Sequence, residues 1–169
     1  MVQELIDLRQ SIVEGRYQDA LDIVDELEGM GKQAILRNIE SFLVRLLIHL
    51  IKNQVEKRLT NSWAASISNS IVQIKKLNLK DNKKSYYIKQ DEWLPYLEEA
   101  IALAIRPVSI EILSGSLKPA EISAQINRDE LIAISQKLID LTYKYPVKQL
   151  PDEVDLLLVE LPGGEEWIS

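Results

Sequence analysis

An all-α helical bundle is predicted from three observations on the 169-residue sequence. The run 35–52 repeats apolar residues at helical spacing on two adjoining stripes. Ile35, Ile39, Phe42, Leu46 and Leu50 form one stripe, Leu36, Leu43, Leu47 and Ile51 the other, and Val44 and Ile48 widen the coverage. A helix apolar over most of its circumference must be surrounded by other elements, so this run is the expected central helix. Second, helix-capping residues stand directly before further runs of the same period. Third, 46% of residues are hydrophobic with only six glycines, which suits helices packed on helices.

The first helix is expected from Leu5, Leu8, Ile12 and Val13 and should stop near Gly15. Tyr17, Ala20, Leu21, Val24 and Leu27 restore the period. Gly29 and Gly31, one residue apart, predict a tight connection before the central helix, which would run from about Lys32 to about Arg58. Thr60, Asn61 and Ser62 are N-cap residues ahead of Trp63, Ile67, Ile71, Ile74 and Leu77. Asn78 to Gln90, with four lysines, reads as a solvated loop or loosely held arm. Leu94, Leu97, Ile101, Ala104, Ile105 and Val108 mark another buried stripe, which Pro107 should kink or end for want of an N–H donor. A brief helix is expected from Pro119. Asn127, with Glu130 three residues on, caps a helix through Leu131, Ile134, Leu138 and Leu141 to Tyr145-Pro146. Residues 1–145 are thus the expected bundle domain, and 146–169 an acidic tail, helical turn or extended. Its run Leu156 to Val159 is read either as a docking segment for its own bundle or a neighbour's groove, or as plain cover for the bundle's open end. Trp167 is the expected anchor of an otherwise loose terminus.

Several chemistries lack residues. With no cysteine there are no disulfides and no thiolate sites, which fits a reducing compartment. No signal peptide is evident at the N-terminus, and the most apolar segment, 42–51, is far short of the roughly 20 residues of a membrane span. A cytoplasmic protein without membrane contact is expected. No phosphate loop, dinucleotide fingerprint or Gly-x-Ser-x-Gly elbow is present, and no Glu-x-x-His pair accompanies the carboxylates Asp22, Asp25, Glu26 and Glu28. No cofactor or metal is expected. The net charge of −6 is unevenly spread: −4 over residues 1–51, +7 over 52–90, −4 over 91–145 and −5 over 146–169.

Two sets of residues remain. The single His49 shares a helix face with Arg45, Lys52 and Glu56, and Glu26 or Glu28 could fold back from the preceding helix to orient it. Such a group is either the beginning of acid–base chemistry or a polar seam between helices, and the seam is the expected reading. Lys57, Arg58, Lys75, Lys80, Lys83 and Lys84, interleaved with Trp63, Tyr86 and Tyr87, could contact phosphates and stack on bases. The competing view puts Trp63 in the core of its own helix. Lysine also outnumbers arginine, a poorer match to specific base reading.

The elements Asp25-Glu26-Leu27-Glu28-Gly29-Met30-Gly31, Leu46-Leu47-Ile48-His49-Leu50-Ile51-Lys52, Glu56-Lys57-Arg58 and Ser62-Trp63 resemble the family called domain of unknown function 29. The resemblance covers roughly residues 5–145. It implies an all-helical fold of a kind widespread in cyanobacteria, and brings no established reaction or ligand. The reading reached is an uncharacterised noncatalytic bundle, a protein-protein interaction or regulatory module with a protein partner or a homodimer. Nucleic-acid association through residues 52–89 is the alternative, and an enzyme built on His49 comes third.

Overall fold

In the computed structural model, which describes residues 2–168, the described chain is helical between loops, the longest of them residues 79–93. The helices are α1 (Val2–Val13), α2 (Tyr17–Glu56), α3 (Asn61–Asn78), α4 (Leu94–Glu111), α5 (Pro119–Gln125), α6 (Arg128–Lys144) and α7 (Leu150–Leu158). A 3-10 turn, Leu113–Gly115, follows α4. An isolated bridge between Leu79 and Tyr86 is the one extended pairing among the described residues. The all-α bundle class is the one observed.

The chain divides into two compact units, residues 1–37 and 38–169. In the larger unit the central run is buried as its stripes require: Ile39, Leu43, Leu46, Leu47 and Ile51 are fully inaccessible. Buried in the same unit are Ile67, Ile71 and Ile74 of α3, Leu97, Ala104 and Val108 of α4, and Leu138 and Ile139 of α6. The tail residues belong to the same unit. Leu150, Val154 and Leu158, at steps of four, are the buried face of α7, which packs on α3 and α6. Thr60 caps α3 by accepting from the Trp63 N–H at 3.1 Å, and Asn127 caps α6 by accepting from the Glu130 N–H at 3.2 Å. The Asn127 N–H donates to the Gln54 side chain at 2.8 Å rather than to Glu130, so the cap is tied to α2.

Four expectations are corrected. The glycines at 29 and 31 do not end a helix, because α2 runs unbroken for 40 residues through both. A glycine inside a helix costs about 1 kcal/mol, which is small beside a continuous hydrogen-bond ladder. Of the two outcomes expected at Pro107, a kink or an end, the end is corrected: α4 continues to Glu111, and the proline forgoes one bond, to the carbonyl of residue 103, on a helix otherwise buried along one face. Leu94 is half exposed, and the place expected of it belongs to Trp93, with no accessible surface.

The segment 79–90 is the fourth, in one alternative only: it is a loop with Lys80, Lys83 and Lys84 exposed, but it is pinned rather than loosely held. The Asn78 amide donates to the Ile88 carbonyl (2.9 Å) and accepts from its N–H (2.7 Å), and Tyr87 donates to the Asn78 carbonyl at 3.0 Å. Ile88 is thereby buried. The terminus is pinned as well: the Trp167 indole donates to Asp155 at 3.0 Å. Gly163, at φ +74°, passes so close to the 57–58 backbone that a Cβ there would stand 2.7 Å from the Arg58 Cα.

In the smaller unit, α1 and the first part of α2 bury only Ser11 and Ala20. Gly15, at φ +73°, turns the chain between them, and Arg16 pairs with Glu14 at 2.8 Å and Asp19 at 2.9 Å.

Candidate functional site

The seam begins with α2's own periodicity, which places Arg45, His49 and Lys52 at steps of four and three along one face. His49 Nδ1 lies 2.8 Å from the Arg45 carbonyl. A carbonyl can only accept, so Nδ1 carries the proton and Nε2 is left as the basic nitrogen. The His49 pKa is pushed below its ordinary value, first by burial; the Arg45 carbonyl and Glu111 oppose that shift, and Lys52 and Arg45 add to it. Neutral imidazole is therefore the resting form near pH 7.

Lys52 is almost covered and reaches Glu111 at the end of α4, Nζ to Oε2 2.6 Å. Its ammonium also stands 5.8 Å from the centre of the Trp63 ring, and the Arg58 guanidinium 4.7 Å from the same ring. Trp63 is thus half-buried between two cations, neither wholly core nor free to stack on a base. Arg58 is held in addition by Glu56 at 3.2 Å. Asn53, fully buried, donates to the Arg58 carbonyl (3.0 Å) and the Pro162 carbonyl (2.7 Å), joining the α2–α3 turn to the C-terminal segment.

Glu26, like Glu28, lies on α2, the same helix as His49, rather than on a preceding one. The carboxylate beside Lys52 is Glu111, from an element the sequence did not connect to this seam. Its only signal was an acid at the end of a periodic run.

The basic residues separate into different roles. Lys75 is buried, donating to the Thr142 carbonyl and, at 3.2 Å, to the Tyr86 hydroxyl, with its ammonium 5.4 Å from the Tyr86 ring centre. It joins α3 to α6 and presents no charge to a phosphate. Lys80, Lys83 and Lys84 are exposed in one loop, where Lys80 lies over the Tyr87 ring at 5.3 Å. Lys57 and Arg58 sit at the other end of α3. The 18 residues of that helix put about 27 Å between the two groups at 1.5 Å per residue.

Behind the loop lies a network that sequence reasoning missed. The Tyr143 hydroxyl accepts from the Trp93 indole (2.7 Å) and the Asn78 amide (3.1 Å) and donates to the Ile88 carbonyl (2.6 Å). Burial is the first cause that pushes its pKa up to about 12, and coulombic contributions from Tyr86 and Asp140 add to it. The Tyr86 and Tyr143 rings are 4.6 Å apart, centre to centre.

A cleft of about 540 Å³ opens beside Asn53, with Leu50, Leu131, Ile134 and Leu161 in its wall and the Lys137–Glu160 pair (3.6 Å) at its edge. Its lining contains no serine, threonine, tyrosine or histidine. Among the described residues no group of three or more His, Cys, Asp or Glu side chains could hold a metal, and no helix is long and apolar enough to cross a membrane.

An uncovered apolar feature lies on the smaller unit. On α1, Val2, Leu5, Ile6, Ile12 and Val13 are between 52% and 75% exposed; on α2, Tyr17 is 67% and Leu21 58% exposed. No curated protein and no solved structure matches the chain. The family described as Domain of unknown function DUF29 matches residues 6–128, from within α1 to the start of α6, and the chain belongs to that family.

Proposed function

We propose that this protein is a noncatalytic helical interaction module of the cytoplasm, and that it docks its partner on the apolar stripe of α1. The carrying observation is that stripe: five large apolar residues on one short helix are more than half exposed. Contiguous apolar surface of this kind marks a place where another surface is received. The seam around His49 supports a structural role for its residues. The protonated ring nitrogen is spent on a backbone carbonyl, and the nearest carboxylate, Glu111, is paired with Lys52. Nothing there orients a substrate.

The test is affinity isolation with the full chain as bait, with each retained protein identified by mass and its retention repeated with Leu5→Glu. The expected result is a partner, another protein or the chain itself, that leaves when the stripe is charged. Retention indifferent to that change overturns the reading. So does an enzymatic turnover abolished by His49→Gln at unchanged stability.

The exposed loop lysines favour one second reading, an electrostatic contact with nucleic acid through Lys80, Lys83 and Lys84, joined by Lys57 and Arg58. Lysines held in two groups at opposite ends of α3 fit nonspecific phosphate contact better than base reading. Retention on heparin that falls steeply with salt, and falls further when Lys80, Lys83 and Lys84 are replaced by Ala, supports it.

A further inference from the structure

We infer that the occupant of the α1 stripe is the α1 stripe of a second copy of this chain, so that the N-terminal units of two copies pair into a four-helix assembly. This rests on the docking reading above and names its partner.

The geometry of α1 is the first argument. At 3.6 residues per turn, Ser11, the buried residue of α1, lies about 160° around the helix from Arg9. Val2, Leu5, Arg9 and Ile12 follow one another at steps of three, four and three, with Ile6 and Val13 alongside. That is the seam spacing of helices that pair with helices of the same pattern, and a second α1 carries it by construction. The stripe therefore lies on the side of α1 away from its small contact with the rest of the unit.

Size and area are the second argument. Unit 1 spans 37 residues and buries no large apolar side chain among those described. Units of about 40 residues or fewer ordinarily need oligomerisation or a covalent staple, and this chain has no cysteine. Five residues of α1 with Tyr17 and Leu21 of α2, exposed by half to three-quarters, offer apolar surface on the order of 250–500 Å² per copy at roughly 60–120 Å² per full side chain. With about 60% of an interface apolar, that corresponds to roughly 400–850 Å² per partner, a range whose upper part reaches the size of a standard interface.

Charge supplies the discriminating feature. Residues 1–37 hold eight acids and four bases, so two copies meeting there repel each other, and the acids of α1 lie off the stripe. Pairing of two such units tightens as salt screens the repulsion, whereas docking of a basic partner weakens. Arg9 is the one charge inside the stripe. A polar residue at a single seam position fixes register at a cost in stability, so its removal strengthens a homodimer; for an anionic partner, its removal weakens binding.

Sedimentation velocity of the full chain tests this, with far-UV circular dichroism confirming helix content for each variant. The expected result is a concentration-dependent dimer whose Kd falls with added salt, falls at least about tenfold with Arg9→Leu, and rises at least about tenfold with Leu5→Glu or Ile12→Glu. A monomer at every concentration overturns the second-copy inference. If an identified partner still leaves the monomer on Leu5→Glu, the docking reading survives that result. A dimer untouched by both stripe charges overturns the inference and the reading together.

Discussion

Replacing Tyr143 by Phe removes one oxygen and leaves the ring where it packs, 4.6 Å from Tyr86. That oxygen is the hub of three hydrogen bonds, but its three partners fare differently when it goes. The Asn78 amide and the Ile88 carbonyl still have each other, at 2.9 Å. The Trp93 indole N–H, on a side chain with no accessible surface, loses the partner it holds at 2.7 Å. A stranded buried donor costs about 1–3 kcal/mol and the lost net bonding about 0.5–1.5 kcal/mol, so Tyr143→Phe should cost about 2–4 kcal/mol. Urea unfolding at neutral pH followed by far-UV circular dichroism reads this directly. In a Trp93→Phe background no indole remains to be stranded, and the Tyr143→Phe cost should shrink by about 1–2 kcal/mol. A pH series adds a second reading. The folded pKa of about 12 lies above the unfolded value of about 10, so the hydroxyl's contribution is complete below pH 10 and is lost as pH rises toward 12. The Phe variant should lack that decline. A Tyr143→Phe protein within about 0.5 kcal/mol of the parent, with unchanged coupling to Trp93, would refute the view that this network fixes the segment after α3.

Other perturbations have equally definite signs. Leu46→Ala, at a site with no accessible surface, should cost about 2–5 kcal/mol, whereas Lys83→Ala on the exposed loop should change stability by less than about 0.5 kcal/mol; denaturant melts giving the reverse order would misplace the core. Gly164→Ala should destabilise by about 1–3 kcal/mol because its Cβ would run into the Leu158 carbonyl oxygen, while Gly29→Ala, with nothing near its Cβ, should stabilise α2 by about 0.5–1 kcal/mol; equal thermal midpoints for the two variants would contradict this. His49 has a folded pKa below its unfolded value of about 6.5, so its contribution is full above that pH and is lost as pH falls through and below it; His49→Gln should flatten stability across this acid window, and an unchanged slope would show that the imidazole does not govern it.

The apolar period carried most of the fold because burial on one side leaves a direct trace in spacing. Ile39, Leu46 and Leu50 on α2, and Ile67, Ile71 and Ile74 on α3, lie where their repeats put them. Glycine misled because its local penalty is only about 1 kcal/mol, and the larger one of Pro107, about 3 kcal/mol, does not end a helix buried along one face. At residues 29 and 31 no Cβ would meet any atom within 4 Å, so neither close packing nor a left-handed turn demands glycine there. Trp93 was hidden because it precedes the periodic run and follows two acids, Asp91 and Glu92, so no local repeat gave it an inward side. In the tail, four consecutive apolar residues hold no phase information, and Leu150 and Val154 outside that run set the face of α7.

The site was less legible, for a reason visible in its lysines. A sequence records that Lys75 and Lys83 are both cations in a basic stretch, but the energetics differ at each position. The Lys75 ammonium gains the Thr142 carbonyl and the Tyr86 hydroxyl and leaves the surface; Lys83, at φ +57° in a tight turn, keeps its charge in water. Lys52 makes the same exchange with Glu111, under the face of Trp63. Each burial is offset by a partner more than 10 residues away in sequence, which no local pattern encodes. The exposed stripe of α1 is the converse. Leu5, Ile12 and Val13 have the period of a buried face and are at least 52% accessible, so the sequence specifies a covering surface that these two helices do not themselves provide. The mismatch between pattern and burial makes α1, rather than His49, the place to look for what this protein does.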